Sequence, residues 1–255
     1  MKFIESKVNA LIKKFRSLSV KKYREQFSLF KLEGEKVVRE SLKYLEMVDN
    51  IIIDQDYKLD YQDILNEYDE KCIVVNHDVF VYLSDTVEPQ HIMAICNYKN
   101  SDVSKLQSTR VLALDHLQDP GNLGTIIRSA VASGFTDIIL IDSVDPYNDK
   151  TIRSASGTIF FPKFYKLKTQ EFLDFTKLNG YSLLIAEAGK QSIFDSSLVL
   201  PNKYILVIGN EGNGISEEVL SSPHKSISIP MDAKVESLNA GVSASVLMFI
   251  LSNKN

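Results

Sequence analysis

Residues Gly209 to Gly214 read Gly-Asn-Glu-Gly-Asn-Gly, three glycines interleaved with two amides and a carboxylate. Such a run can wrap a ligand in backbone N–H and C=O groups, because glycine tolerates positive φ and puts no Cβ in the way. Its spacing is neither G-x-G-x-x-G nor G-x-x-x-x-G-K-[ST], so the two common nucleotide loops do not fit. A tight strand-to-helix turn is the plainer alternative. Two further short segments follow, Ile229-Pro-Met231 and Ser237-Leu-Asn239. With the glycine loop they could surround a flat ligand, and Ser237, Asn239 and Glu211 could add hydroxyl, amide and carboxylate chemistry.

The neighbouring patterns say what must hold these segments. Tyr204 to Ile208 is continuously apolar and rich in β-branched residues, the mark of a strand buried on both faces. Ile227 to Ile229 reads as a second short strand, stopped by Pro230. A helix is expected to open near Ser237-Leu-Asn239, with Val242, Val246, Phe249 and Ile250 on one side and Leu247 and Leu251 on another. A helix apolar nearly all round is buried on more than one side. Upstream, Arg110 to Leu114 reads as a buried strand, and Asp119-Pro120 as a helix N-cap with proline in the first turn. That helix sets Ile126, Ile127, Ala130, Val131 and Gly134 on one face and Gly121, Gly124, Thr125 and Arg128 on the other. An arginine over a floor of small residues leaves space for a ligand or a second subunit. Asp137–Ile141 and Tyr181–Ala186 read as further strands, and 151–157 as a small-residue helix that could form a pocket wall.

Residues 1–108 carry a different pattern. Val8, Leu11, Ile12 and Phe15 share a helical face, 27–32 alternates as a strand does, and Glu33-Gly34-Glu35 turns the chain. A helix through Val37–Leu45, strands at Ile51–Ile53, Cys72–Val75 and His91–Cys96, and helices near Asp60–Tyr68 and His77–Leu83 follow. This alternation implies a small α/β sandwich, with 97–108 as linker to a second α/β domain. The 255 residues suffice for two cores. No apolar run approaches a membrane span and the N-terminus lacks a signal-peptide core, so a cytoplasmic protein is expected. Cys72 and Cys96 read as reduced, buried thiols, and the spacing of His77, His91 and His224 suggests no metal site. The net charge of −4 is unevenly spread: residues 1–46 carry twelve Lys/Arg against six Asp/Glu, whereas 47–109 carry four against twelve. The basic N-terminal segment is the place where phosphate contacts are expected.

Asp119-Pro-Gly-Asn-Leu-Gly-Thr-Ile-Ile-Arg128, Gly209–Gly214, and Ile229–Met231 with Ser237–Asn239 resemble, in order, the three motifs of the SpoU (TrmH-type) branch of the SPOUT RNA methyltransferases. The resemblance implies an S-adenosylmethionine-dependent RNA 2′-O-ribose methyltransferase acting on tRNA or rRNA. The implied fold class is α/β, with a SPOUT domain holding a deep trefoil knot over 109–255 behind a small L30e-like RNA-binding domain over 1–98. Lys21-Lys-Tyr-Arg24, a strand, Glu33-Gly-Glu35 and a helix resemble that smaller domain. By the same resemblance Arg128, Asn122, Ser237, Asn239 and Glu211 are the catalytic candidates, and plainer roles stay open: loop bracing for Asn122 and Asn239, a cap on the last helix for Ser237, and for Glu211 a bond from an amide of its own loop or an ion pair that orients Arg128. Backbone around Gly209, Asn210, Gly212, Gly214, Ile229, Met231 and Leu238 holds the cofactor. A homodimer is implied, with Arg128 acting across the interface. An RNA base methyltransferase and a non-catalytic RNA-binding protein of the same fold stay open as alternatives. Where the family commonly continues S-L-N-V-S-V-A, this chain has Asn239-Ala-Gly-Val-Ser243, which raises a question of local stability or close packing.

Overall fold

Short apolar runs separated by amphipathic helices assemble two sheets in the structure, a computed structural model that describes residues 2–98 and 101–254. The chain divides into two compact units, Met1–Lys99 with Tyr147–Ile152, and Asn100–Pro146 with Arg153–Asn255.

The first unit has strands β1 (Lys2–Ile4), β2 (Leu29–Glu33), β3 (Val48–Asp54), β4 (Cys72–Val75) and β5 (Ile92–Asn97), in the order β1-β4-β3-β5-β2. β1, β4 and β3 run parallel, and β5 is antiparallel to both β3 and β2. Helices α1 (Ala10–Ser17), α2 (Lys21–Phe27), α3 (Glu35–Ser41), α4 (Gln62–Glu67) and α5 (His77–Leu83) connect them. Ile12 and Phe15 of α1 and Val79 and Phe80 of α5 pack on Ile52, Val75 and Met93 of the sheet. Several boundaries differ from the sequence reading. Phe27 ends α2 and begins no strand, because Ser28 turns the chain in the left-handed region (φ 51°). The helix read through Leu45 tightens at Leu42 into a 3₁₀ segment, and Gln55–Tyr61 is likewise 3₁₀ before α4 begins. Val8 is exposed ahead of α1. Of the expected linker, Asn97 completes β5 and Val103–Lys105 forms a 3₁₀ turn, while Lys99 and Asn100 lie outside the described residues.

The basic segment is less free than its composition implies. Arg24 is buried and donates to the carbonyl of Leu18 at 2.7 Å. Arg16 donates to Asp85 at 2.7 Å and to the Ser84 carbonyl at 3.0 Å, and buried Lys31 reaches Asp85 and the Leu83 carbonyl. Lys13, Lys21, Lys22 and Tyr23 remain exposed.

The second unit holds β6 (Arg110–Asp115), α6 (Pro120–Ser133), β7 (Asp137–Ile141), the end of α7 (Asp149–Ala155) from Arg153 on, β8 (Lys163–Leu167), α8 (Thr169–Leu178), β9 (Ser182–Ser192), β10 (Tyr204–Ile208), α9 (Glu217–Leu220), β11 (His224–Ser228) and α10 (Ala240–Asn253). Its sheet is parallel throughout, in the order β11-β9-β10-β6-β7-β8. After β6 the chain moves outward through β7 and β8, then crosses to the other side for β9, β10 and β11. β6 and β10 therefore flank a point where strand order reverses, and the loops leaving their C-terminal ends face a common crevice. The core includes Val111, Ala113, Ile139, Ile185, Ile205 and Val207. α10 packs on α6, where Gly241 meets Thr125 and Ser245 donates to Ser129, buries Ala240, Ala244 and Leu247, and leaves Val242 (47%) and Phe249 (45%) exposed.

Candidate active site

The glycine loop after β10 is held from inside. Asn210 and Gly214 exchange two backbone hydrogen bonds, at 2.8 and 3.0 Å, and Gly214 closes the turn with φ +69°. The Asn210 Oδ1 accepts from the backbone N–H of Gly212 and Asn213 at 2.8 and 3.0 Å, while its Nδ2 donates to the His116 carbonyl at 2.8 Å. Asp115, fully buried at the end of β6, accepts from the N–H and hydroxyl of Ser216 at 2.7 and 2.8 Å. A buried carboxylate with several such donors is a rigid post. The reason for glycine at 209 is internal closure: an added Cβ would stand 2.4 Å from the carbonyl carbon and oxygen of Gly214.

Asn122 ties the loops together. Asp119 caps α6 by accepting from the Asn122 N–H at 2.8 Å, as the sequence implies. The Asn122 Nδ2 donates to Glu211 at 2.7 Å, and its Oδ1 accepts from Asn239 Nδ2 at 2.9 Å. Asn239 also caps α10, accepting from the Val242 N–H at 3.2 Å. Glu211, Asn122 and Asn239 thus form one polar chain across three loops. Two sequence expectations are corrected here. Ser237 does not cap the last helix, because Asn239 does, and Glu211 pairs with Asn122 in place of an amide of its own loop or Arg128. Gly241 gains a reason as well: a Cβ there would lie 3.1 Å from the Asn239 Oδ1 and 3.4 Å from the Thr125 methyl, so the small residue lets α10 approach α6 closely.

A cavity of about 460 Å³ opens beside this network. Gly209, Asn210, Gly212 and Gly214 form one wall, Ile229, Met231 and Leu238 another, and Glu211 and Ser237 also line it. Ile208, Ile215, Ile227 and Leu247 supply apolar surface. Asn122, Asn239 and Arg128 are not in the lining; Asn122 meets its edge through Glu211, and Asn239 lies between the lining residues Leu238 and Ala240. Arg128 is exposed and pairs with no described residue. None of residues 151–157, expected as a pocket wall, lines the cavity. Glu187 was not legible as a lining residue. It lies on β9, which runs past Ala186 to Ser192, and it accepts from the Ser226 hydroxyl with His224 Nε2 at 3.6 Å.

The cavity's size and mixed apolar and backbone-polar lining fit a small-molecule ligand of about nucleoside size. In the first unit, Asp54, His77 and His91 converge although their spacing along the chain suggested no metal-ligand set.

Residues 109–249 match the model of the SpoU rRNA Methylase family, and residues 9–94 match that of the MRM3-like substrate binding domain. The chain is 31% identical to the 23S rRNA (guanosine(2553)-2′-O)-methyltransferase RlmP of Bacillus subtilis (strain 168), over 98% of this chain and 99% of that one. It is 26% identical to the mitochondrial rRNA methyltransferase 3 of Xenopus tropicalis, covering 90% of this chain and 71% of that one. The crystal structure of the AdoMet-bound rRNA methyltransferase from Sinorhizobium meliloti superposes with a TM-score of 0.82 at 25% identity, over 98% of this chain and 96% of that chain.

Proposed function

The chain belongs to the SpoU rRNA methylase family, and from that membership and the site's geometry we propose that it transfers a methyl group from S-adenosylmethionine to a ribose 2′-hydroxyl of ribosomal RNA. The observation that carries this reading is the Glu211–Asn122–Asn239 chain, which joins all three motif segments at the rim of one cavity. S-adenosylmethionine, when bound, supplies the electrophilic methyl; the protein's part is to position, desolvate and stabilise charge. Backbone at Gly209, Ile229 and Leu238 holds the cofactor, with Asn210, Gly212, Gly214 and Met231 completing the walls. The Ser237 hydroxyl, on the lining, orients the ribose hydroxyl. Arg128, as a guanidinium cation, stabilises the negative charge that develops on the 2′-oxygen as its proton passes to solvent water and the methyl leaves the sulfonium sulfur.

A homodimer belongs to the same reading. Val242 and Phe249 on the exposed side of α10 support it, as does the position of Arg128 outside its own chain's cavity, suited to serving a partner's. A deep trefoil knot is also proposed; the insertion of β10 between β6 and the earlier β9 supports it. The L30e-like unit, over 1–98, would present exposed Lys13, Lys21, Lys22 and Tyr23 to RNA phosphates and bases, with 109–255 as the catalytic domain. The relatives named for rRNA favour that substrate over tRNA. Incubation with methyl-labelled S-adenosylmethionine and unmodified ribosomal RNA, with ribose methylation mapped by nucleotide, tests the proposal. One ribose methylated at stoichiometry is expected. Label on a base would favour base methylation, and donor binding without transfer would favour a non-catalytic RNA-binding protein.

A further inference from the structure

Three side chains of the first unit meet at one point without any part in methyl transfer. Asp54 ends β3, His77 is the first residue of α5, and His91 immediately precedes β5. The Asp54 carboxylate is fully buried, and its Oδ2 receives both imidazoles, His77 Nδ1 at 2.7 Å and His91 Nδ1 at 3.0 Å. All three donor atoms lie within 4.8 Å of one another. No Lys or Arg among the described residues forms an ion pair with Asp54.

We propose that Asp54, His77 and His91 bind a zinc-class divalent cation in the first unit, through one carboxylate oxygen and two imidazole Nδ1 atoms. Tetrahedral zinc at roughly 2.0–2.1 Å from each nitrogen and oxygen separates its ligand atoms by about 3.3 Å. The contacts of His77 and His91 with Asp54, 2.7 and 3.0 Å, are about 0.6 and 0.3 Å shorter than this, so an outward shift of His77, whose side chain is 47% exposed, admits the ion. Two imidazoles and a carboxylate are the donor set that zinc and its neighbours favour over calcium or magnesium.

Surrounding groups already hold the ligands in place. The other Asp54 oxygen accepts the Asp56 N–H at 3.2 Å, and the Asp54 N–H donates to the His91 carbonyl at 3.0 Å. His91 adopts a left-handed backbone (φ 55°), a region that histidine enters more readily than most side chains, one residue before β5 begins. Tyr57 stacks on that ring, centroids 3.4 Å apart and planes 5° from parallel, so the imidazole is fixed before any ion arrives. Such preorganisation beyond the ligand atoms is what distinguishes a metal site from a chance meeting of polar groups. Three protein ligands on a partly exposed cluster leave the fourth position to water.

The test is calorimetric titration of zinc chloride into the untagged, EDTA-dialysed full chain, repeated with His77→Ala and His91→Gln. One equivalent is expected to bind the wild type and raise its melting temperature. Each variant should lose about a hundredfold or more in affinity and all of the zinc-induced thermal shift, while its metal-free circular dichroism spectrum matches that of the wild type. Cobalt(II) in place of zinc should give the visible absorption of a tetrahedral site in the wild type alone. Absence of saturable binding, binding unchanged in both variants, or loss confined to one of them would overturn the assignment.

Discussion

Replacing Gly209 by alanine tests whether the loop is a cradle closed upon itself. The new Cβ would stand 2.4 Å from the carbonyl carbon and oxygen of Gly214 and 2.7 Å from the Ile215 nitrogen. All three are backbone atoms, so no rotamer can relieve the overlap, and ordinary contact requires the strands of the loop to part by about 1 Å. Parting them breaks the reciprocal Asn210–Gly214 hydrogen bonds. At about 0.5–1.5 kcal/mol each, their loss amounts to about 1–3 kcal/mol. If the loop must close to bind, that is about a 5- to 150-fold loss of affinity for the donor. Titration calorimetry with S-adenosylhomocysteine measures it directly. Gly212→Ala is the control, because its Cβ would meet only the Asn210 Oδ1, at an ordinary 3.5 Å, and it should bind within a few fold of wild type. Gly209→Ala binding within twofold of wild type, or Gly212→Ala losing as much, would refute the closure argument.

Arg128→Lys should lower turnover by about 10²–10³-fold while S-adenosylhomocysteine affinity stays unchanged; single-turnover methylation decides it, and near-normal turnover would remove Arg128 from the mechanism. Phe249→Asp should shift the protein to monomers in light scattering and abolish activity, since a charge on the proposed interface has no partner. Burial above all, with Asp85 beside it, lifts the Asp149 carboxyl to about 6, although Lys31 and Arg24 pull it down. A carboxyl raised above its ordinary 3.8 holds its proton more tightly in the folded state, so stability falls as pH climbs from about 4 to 6 and the deficit persists above that. Asp149→Asn should therefore stabilise the fold by up to about 3 kcal/mol at pH 7.5 and by little at pH 4 in urea melts. An equal effect at both values would contradict that origin.

What the sequence made legible follows from how local each signal is. Tyr204–Ile208, Cys72–Val75 and His77–Leu83 were readable because apolar period and flanking turn residues agree, and the structure has the same bounds. Asp119 as a cap needed only its own neighbours. The seven expected cofactor positions all line one cavity, because glycine and proline punctuate strand ends wherever they fall. Partnerships across the chain were not legible. Nothing near Glu211 identifies Asn122 as its partner, and no charge count reveals that Arg24 and Lys31 are buried on carbonyl oxygens. The short edge strand β1 pairs with β4 through only three residues, too few to leave a period. Glu187 was missed because β9 continues past its apolar stretch, held there by pairing with β11.

The contacts that build the cavity rim join residues far apart along the chain: 89 positions from Asn122 to Glu211, 101 from Asp115 to Ser216 and 117 from Asn122 to Asn239. Loops of that length close slowly, since chain entropy is surrendered before any bond rewards it. The rim must therefore be among the last parts to form on the ribosome or in refolding. α6 and β6 emerge early and wait for Asn239, and only the arrival of α10 gives the protein somewhere to hold a methyl donor. Recovery of donor binding should lag behind recovery of helical circular dichroism when the denatured chain is diluted into buffer.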